Sequence, residues 1–121
     1  MKHEDRIAGW LDDLRTFAGQ AAHITSHGRE QYLQDTPQGM LLRAAGERVL
    51  IRVATVAERL PAEFKEAHPD IEWVRIARMR NLVAHQYQSV NDDLLWVTLS
   101  SDIPALVRRL DGLTAAPDEP V

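Results

Sequence analysis

Apolar residues recur along this chain at the three- and four-residue spacing of amphipathic helices, and nowhere in the alternating pattern of strands. From Glu4 to about Thr25 the positions Ile7, Trp10, Leu11, Leu14, Phe17, Ala18, Ala21 and Ile24 form one stripe and predict a first helix. Ser26 to Gly39 is polar, with a single short helical turn expected around Glu30 to Leu33. Thr36 and Pro37 then read as cap and first residue of a long helix ending at Leu60 before Pro61. Its core arc is Leu42, Ala45, Val49, Val53, Val56 and Leu60, widened by Leu41, Ala44, Leu50, Ile51 and Ala57, so it is expected to be central. Gly46 inside it predicts a close approach of another element, because glycine otherwise costs about 1 kcal/mol there.

Pro61 to His68 reads as a short helical or turn segment leading into a helix from Pro69 to Tyr87, started by His68 or Asp70. On that helix Ile76, Met79, Leu82 and Val83 make the core arc. Arg80, Ala84 and Tyr87 fall on one line of the opposite face, with Asn81 and His85 on the next. Trp73, Val74 and Ala77 lie among these polar groups, which suits a site built at an interface. After a break at Gln88 to Val90, Asn91 or Asp92 caps a helix with Leu94, Leu95, Val97 and Leu99 inward. Pro104 is expected to kink or restart it, capped by Ser101 or Asp102, and Gly112 to stop it. The fold class is therefore all-α, a bundle of four or five helices in one domain over residues 1–113, with 114–121 a flexible tail.

Composition narrows the function. The 121 residues carry a net charge of −4, which argues against coating nucleic acid through bulk charge, so any RNA contact must be local. Arg75, Arg78 and Arg80 form the local basic cluster. Cysteine is absent, which excludes disulfide and thiolate chemistry and suits a reducing cytoplasm. The first residues carry acids and no unbroken apolar run, so neither an export signal nor a membrane anchor is expected. His23 and His27 stand at a metal-ligand spacing but no third ligand is evident, so no metal is expected. No glycine-rich phosphate loop is present and no cofactor is expected.

The group Arg80-Asn81, His85 and Tyr87 has the parts for metal-free cleavage of an RNA phosphodiester. An imidazole exchanges protons near neutral pH, and a guanidinium holds phosphate and offsets the charge that grows on it. The attacking group is then the RNA's own 2′-hydroxyl. One histidine supplies one acid or base, so a second copy across a two-fold axis, or the arginines, must complete the scheme. The bland alternative is structural: Asn81 bonded to backbone, His85 a satisfied interface histidine and Tyr87 a half-buried anchor.

The run Arg80-Asn81-Leu82-Val83-Ala84-His85-Gln86-Tyr87 resembles the RX4HXY motif of the HEPN superfamily, specifically the HepT-like toxins paired with minimal nucleotidyltransferase antitoxins. The order of features from Leu60 to Trp96, with a tryptophan before the motif and acid-Leu-Leu-Trp after it, is similar to that family. The likeness covers roughly Asp5 to Leu110. Glu72 and Arg78 depart from the pattern, standing where a proline and a small residue are frequent. The resemblance implies a cytoplasmic, homodimeric, metal-independent ribonuclease toxin of a type VII-like pair, with Arg80 and His85 catalytic, Asn81 supporting and Arg75 and Arg78 touching RNA. It also implies that the nucleotidyltransferase partner silences the toxin by AMPylation of Tyr87. A HEPN module that only docks a nucleotidyltransferase is the alternative, and a plain helical dimerisation protein a more distant one.

Overall fold

The computed structural model describes residues 3–85 and 91–115. Its elements are α1 (His3–Thr25), α2 (Arg29–Leu33), α3 (Pro37–Arg59), α4 (Ala62–Ala67), α5 (Trp73–His85), α6 (Asp92–Val97) and, after a π turn over Thr98–Asp102, α7 (Ile103–Ala115). The described residues contain no strand, and the all-α bundle follows the helical periodicity of the sequence. Helix α3 is the axis, with α1 and α5 packed along it. The π turn and α7 pack on α1. The core is centred on Leu14, Tyr32, Leu50, Val53, Leu95 and Leu99, all fully buried.

Local chemistry accounts for the helix starts. The Thr36 hydroxyl accepts from the Gly39 N–H at 3.0 Å with Pro37 in the first turn, and the Asn91 side chain accepts from the Leu94 N–H at 3.1 Å. Helix α5 departs from expectation: it begins at Trp73, and Pro69-Asp70 forms a turn instead of its first residues. The His68 carbonyl accepts the Ile71 N–H at 3.2 Å, and this turn tucks Ile71 into the core. A helix begun at Pro69 would spend that carbonyl on its own ladder.

Pro104 does not restart a helix, and Ser101 and Asp102 lie inside the π turn instead of capping one. The chain stays helical from α6 through the π turn into α7, and the Ile103 N–H reaches the Thr98 carbonyl, five residues back. Proline has no N–H and its ring crowds the carbonyl four residues earlier, and a wider turn relieves both constraints. Gly112 does not stop α7, which continues to Ala115; residues 116–121 lie outside those described. Some expected core positions are on the surface: Leu41, Ala44 and Ala45 on α3, and Leu94 and Val97 on α6, are exposed. Each helix buries one stripe, and the neighbours cover Leu42, Val49 and Leu50 on α3 and Leu95 on α6.

Tyr32 is the largest core residue that periodicity did not mark. Its ring stacks at a tilt on Trp96, 5.3 Å between centroids, and its hydroxyl meets α3 at Gly46. A Cβ on Gly46 would lie 2.6 Å from Leu99 Cδ1 and 2.9 Å from that hydroxyl, so the close approach expected at Gly46 is made by side chains. Burial pushes the Tyr32 phenol well above its usual range, and the Asp92 and Glu47 carboxylates act in the same direction.

Gly39 is tighter still: a Cβ there would stand 2.1 Å from the Gln34 carbonyl oxygen, a backbone atom that also accepts from Arg43 at 2.9 Å. Gly39→Ala is therefore expected to destabilise the protein by about 1–3 kcal/mol despite its better helix propensity. Gly19→Ala, where a Cβ meets nothing within 4 Å, should instead stabilise it by up to about 1 kcal/mol. Urea denaturation of the two variants checks the opposite signs.

Candidate active site

Helix α5 carries the candidate chemistry because its two faces have different partners. Met79 and Val83 are buried in the core, with Ile76 packed against it, while Val74, Arg78 and Asn81 are exposed. Arg80 lies between the two regions and is half-buried. Its Nη1 donates to Asn81 Oδ1 at a long 3.4 Å, and its Nε is buried without an acceptor among the described residues. Among the described residues most of this guanidinium's donor capacity is uncommitted, the condition in which arginine takes up an oxyanion.

His85 is the last residue of α5, five positions after Arg80. Its side chain lies outside what the structure describes, and so does Tyr87. On the shared helix Arg80 and His85 are separated by about 7.5 Å of axial rise.

The basic cluster divides into unlike members. Arg78 is exposed and forms no ion pair among the described residues. Arg75 is engaged within the chain: its Nη2 lies 2.9 Å from Asp102 Oδ2 in the π turn, and its Nη1 lies 3.9 Å from Glu72 Oε1. Asp102 is a partner that one-dimensional reading missed, since 27 positions separate it from Arg75.

Trp73 is engaged with the segment before α5. It is a half-buried anchor within its own chain, with Nε1 donating to the His68 carbonyl at 3.1 Å and its ring meeting Phe64 edge-on at 6.4 Å. Trp73→Phe keeps most of the ring and loses the donor, so it is expected to cost about 1 kcal/mol. Trp73→Ala should cost about 2–4 kcal/mol, somewhat below the full range for a wholly buried tryptophan. Chemical denaturation of both variants reads the difference.

His23 and His27 meet edge-on at 5.5 Å, and His27 Nδ1 lies 3.2 Å from the His23 carbonyl at the end of α1. That is a helix-end role. Among the described residues no group of three His, Asp or Glu side chains is arranged to hold a metal, and no helix is long and apolar enough to cross a membrane.

A profile of the HepT-like family, described as "Ribonuclease HepT-like", matches residues 14–112, from the middle of α1 to the last turns of α7. This chain belongs to the HepT-like family. A protein of Thermococcus cleftensis described as a probable ribonuclease HepT is 36% identical over 102 residues, covering 84% of this chain and 93% of its own. A putative RNase of Caldanaerobacter subterraneus subsp. tengcongensis is 32% identical over 77 residues, covering 64% of this chain and 69% of its own. A putative RNase of Methanocaldococcus jannaschii is 24% identical over 71 residues, covering 59% and 65% respectively. No solved structure matches the chain. The HepT-like match takes in α2 to α6 entire and parts of α1 and α7, and Arg80, His85 and Tyr87 all fall inside it.

Proposed function

We propose that this HepT-like protein is a metal-independent endoribonuclease toxin, working as a homodimer and silenced by AMPylation of Tyr87. The observation that carries the proposal is the RX4HXY run inside a family match over residues 14–112, with the Arg80 guanidinium half-buried and, among the described residues, bonded only to Asn81. Family members named as ribonucleases support the reaction class.

In this scheme Arg80 holds the scissile phosphate, and Asn81, in contact with it, orients the guanidinium or the imidazole. His85 takes the proton from the 2′-hydroxyl as the 2′-oxygen forms its bond to phosphorus. The bond from phosphorus to the 5′-oxygen breaks, that oxygen receives a proton, and the products are a 2′,3′-cyclic phosphate and a 5′-hydroxyl. Two proton transfers need two groups, and the second His85 of a dimer provides the other. Val74 is 70% exposed on the face that carries Arg78 and Asn81, a surface suited to a second copy. Arg78 adds local positive charge for the RNA backbone, in a chain too acidic to bind RNA by bulk charge. Arg75 contributes to RNA binding only by exchanging Asp102 for phosphate.

The partner is a minimal nucleotidyltransferase. Its reaction joins the Tyr87 phenol oxygen to the α-phosphorus of ATP, and pyrophosphate leaves. The protein, freed of any partner, should cut single-stranded RNA in EDTA and leave cyclic phosphate ends, with DNA of the same sequence uncut. If neither cellular RNA nor defined oligonucleotides are cut, the protein is a docking module for the nucleotidyltransferase.

A further inference from the structure

An open groove of about 600 Å³ runs between α1 and α3 and is lined by no residue of α5. Ile24 and Val49, both buried, are its floor. Its walls are Thr16, Gln20 and His23 of α1 and Arg48 and Arg52 of α3, all exposed. No carboxylate lines it.

That charge is unbalanced in a chain whose net charge is −4. Arg15, Arg29, Arg43, Arg75 and Arg109 each pair with a carboxylate, whereas Arg48 and Arg52 form no ion pair among the described residues. Glu47, next to Arg48 in sequence, is turned to another side of α3, where its charge acts on Asp92 and Tyr32. Arg52 is anchored on α1 without a carboxylate, its guanidinium carbon standing 5.8 Å from the centroid of the Phe17 ring. Arg48 and Arg52 are four positions apart, so they stand side by side on one helix face with about 6 Å of rise between them. Successive phosphates of an extended nucleic-acid strand have a comparable spacing, and each guanidinium can take a phosphate through paired N–H donors. The exposed lining offers no large apolar side chain to anchor a protein partner.

We infer that this groove binds the phosphate backbone of single-stranded RNA, on helices other than the one that carries Arg80 and His85. The groove's charge selects a polyanion, and the identity of the strand rests on the ribonuclease reading above.

Fluorescence anisotropy of a labelled 2′-O-methyl oligoribonucleotide, which has no free 2′-hydroxyl to attack its own phosphates, measures binding by the full chain independently of cleavage. Arg48→Glu and Arg52→Glu should each weaken binding by about tenfold, the worth of one charged hydrogen bond. Arg108→Glu makes the same charge change at an exposed residue outside the groove. It should weaken binding by less than about threefold at physiological salt, where exposed charges are screened beyond about 8 Å. Replacing both groove arginines by glutamine should flatten the slope of log affinity against log salt by about 1.4, the share of two single-strand phosphate contacts. Circular dichroism should be unchanged in every variant. Equal weakening by Arg108→Glu and Arg52→Glu, or an unaltered salt slope, would overturn the inference. So would groove variants that keep the oligonucleotide but lose the nucleotidyltransferase, which would assign the groove to a protein. If wild type cuts RNA while the groove variants bind the strand normally, this inference falls and the ribonuclease reading stands; if wild type neither binds nor cuts RNA, both fall.

Discussion

His85→Ala is expected to lower the rate of RNA cleavage by about a hundredfold to ten-thousandfold, the range for removing a positioned proton-transfer group. Arg80→Ala should fall in the same range, because a donor aimed at developing phosphate charge contributes on that scale. Both variants should remain folded. The one hydrogen bond of Arg80 among the described residues is the long contact to Asn81, so its loss removes little that holds the bundle together. Arg80→Lys should recover only a small part of the rate, since an ammonium cannot reproduce a planar, multiply donating contact to phosphate. Asn81→Ala, removing a neighbour of Arg80 instead of a reacting group, should lose less than either. Gel assays at matched concentration, with circular dichroism as the control for folding, read all of these. Cleavage by His85→Ala at the wild-type rate would end the assignment.

The second large effect is all-or-none. Co-expression with the cognate nucleotidyltransferase is expected to raise the intact mass by one or more AMP units, mapped to Tyr87 by peptide sequencing. The modified protein should lose RNA cleavage while keeping its melting temperature. A phosphodiester on the phenol would bring negative charge and acceptor oxygens that an arginine can clamp, and the adenosine would occupy space that RNA must enter. Tyr87→Phe should stay toxic and escape neutralisation. If it is neutralised like wild type and no adduct forms, the partner acts by covering the site alone.

The sequence by itself determined the helices and their order, because each helix must bury a stripe and the stripe has a period that can be counted. Thr36-Pro37 and Asn91 marked their helix starts because capping acts over three residues, within reach of local reading. The RX4HXY run was legible as an order of residue types, and the described part of it puts Arg80 and His85 five positions apart on α5. What only the tertiary structure decided concerns partners far apart in the chain. That Arg75 turns to Asp102, and Asp70 to Arg109, depends on α5 and α7 lying either side of one cleft. That Tyr32 fills the core depends on α2 folding against α3 at Gly46, where no larger residue leaves room. Pro104 carried a local warning of a broken helix, yet the π turn let the helix through, because Ile103, Leu106 and Leu110 bury in the core only if the chain continues in line. Leu41, Leu94 and Val97 matched the helical period as well as their buried neighbours did. Hydrophobicity says that a residue gains by burial; whether a neighbouring helix reaches it is settled by packing.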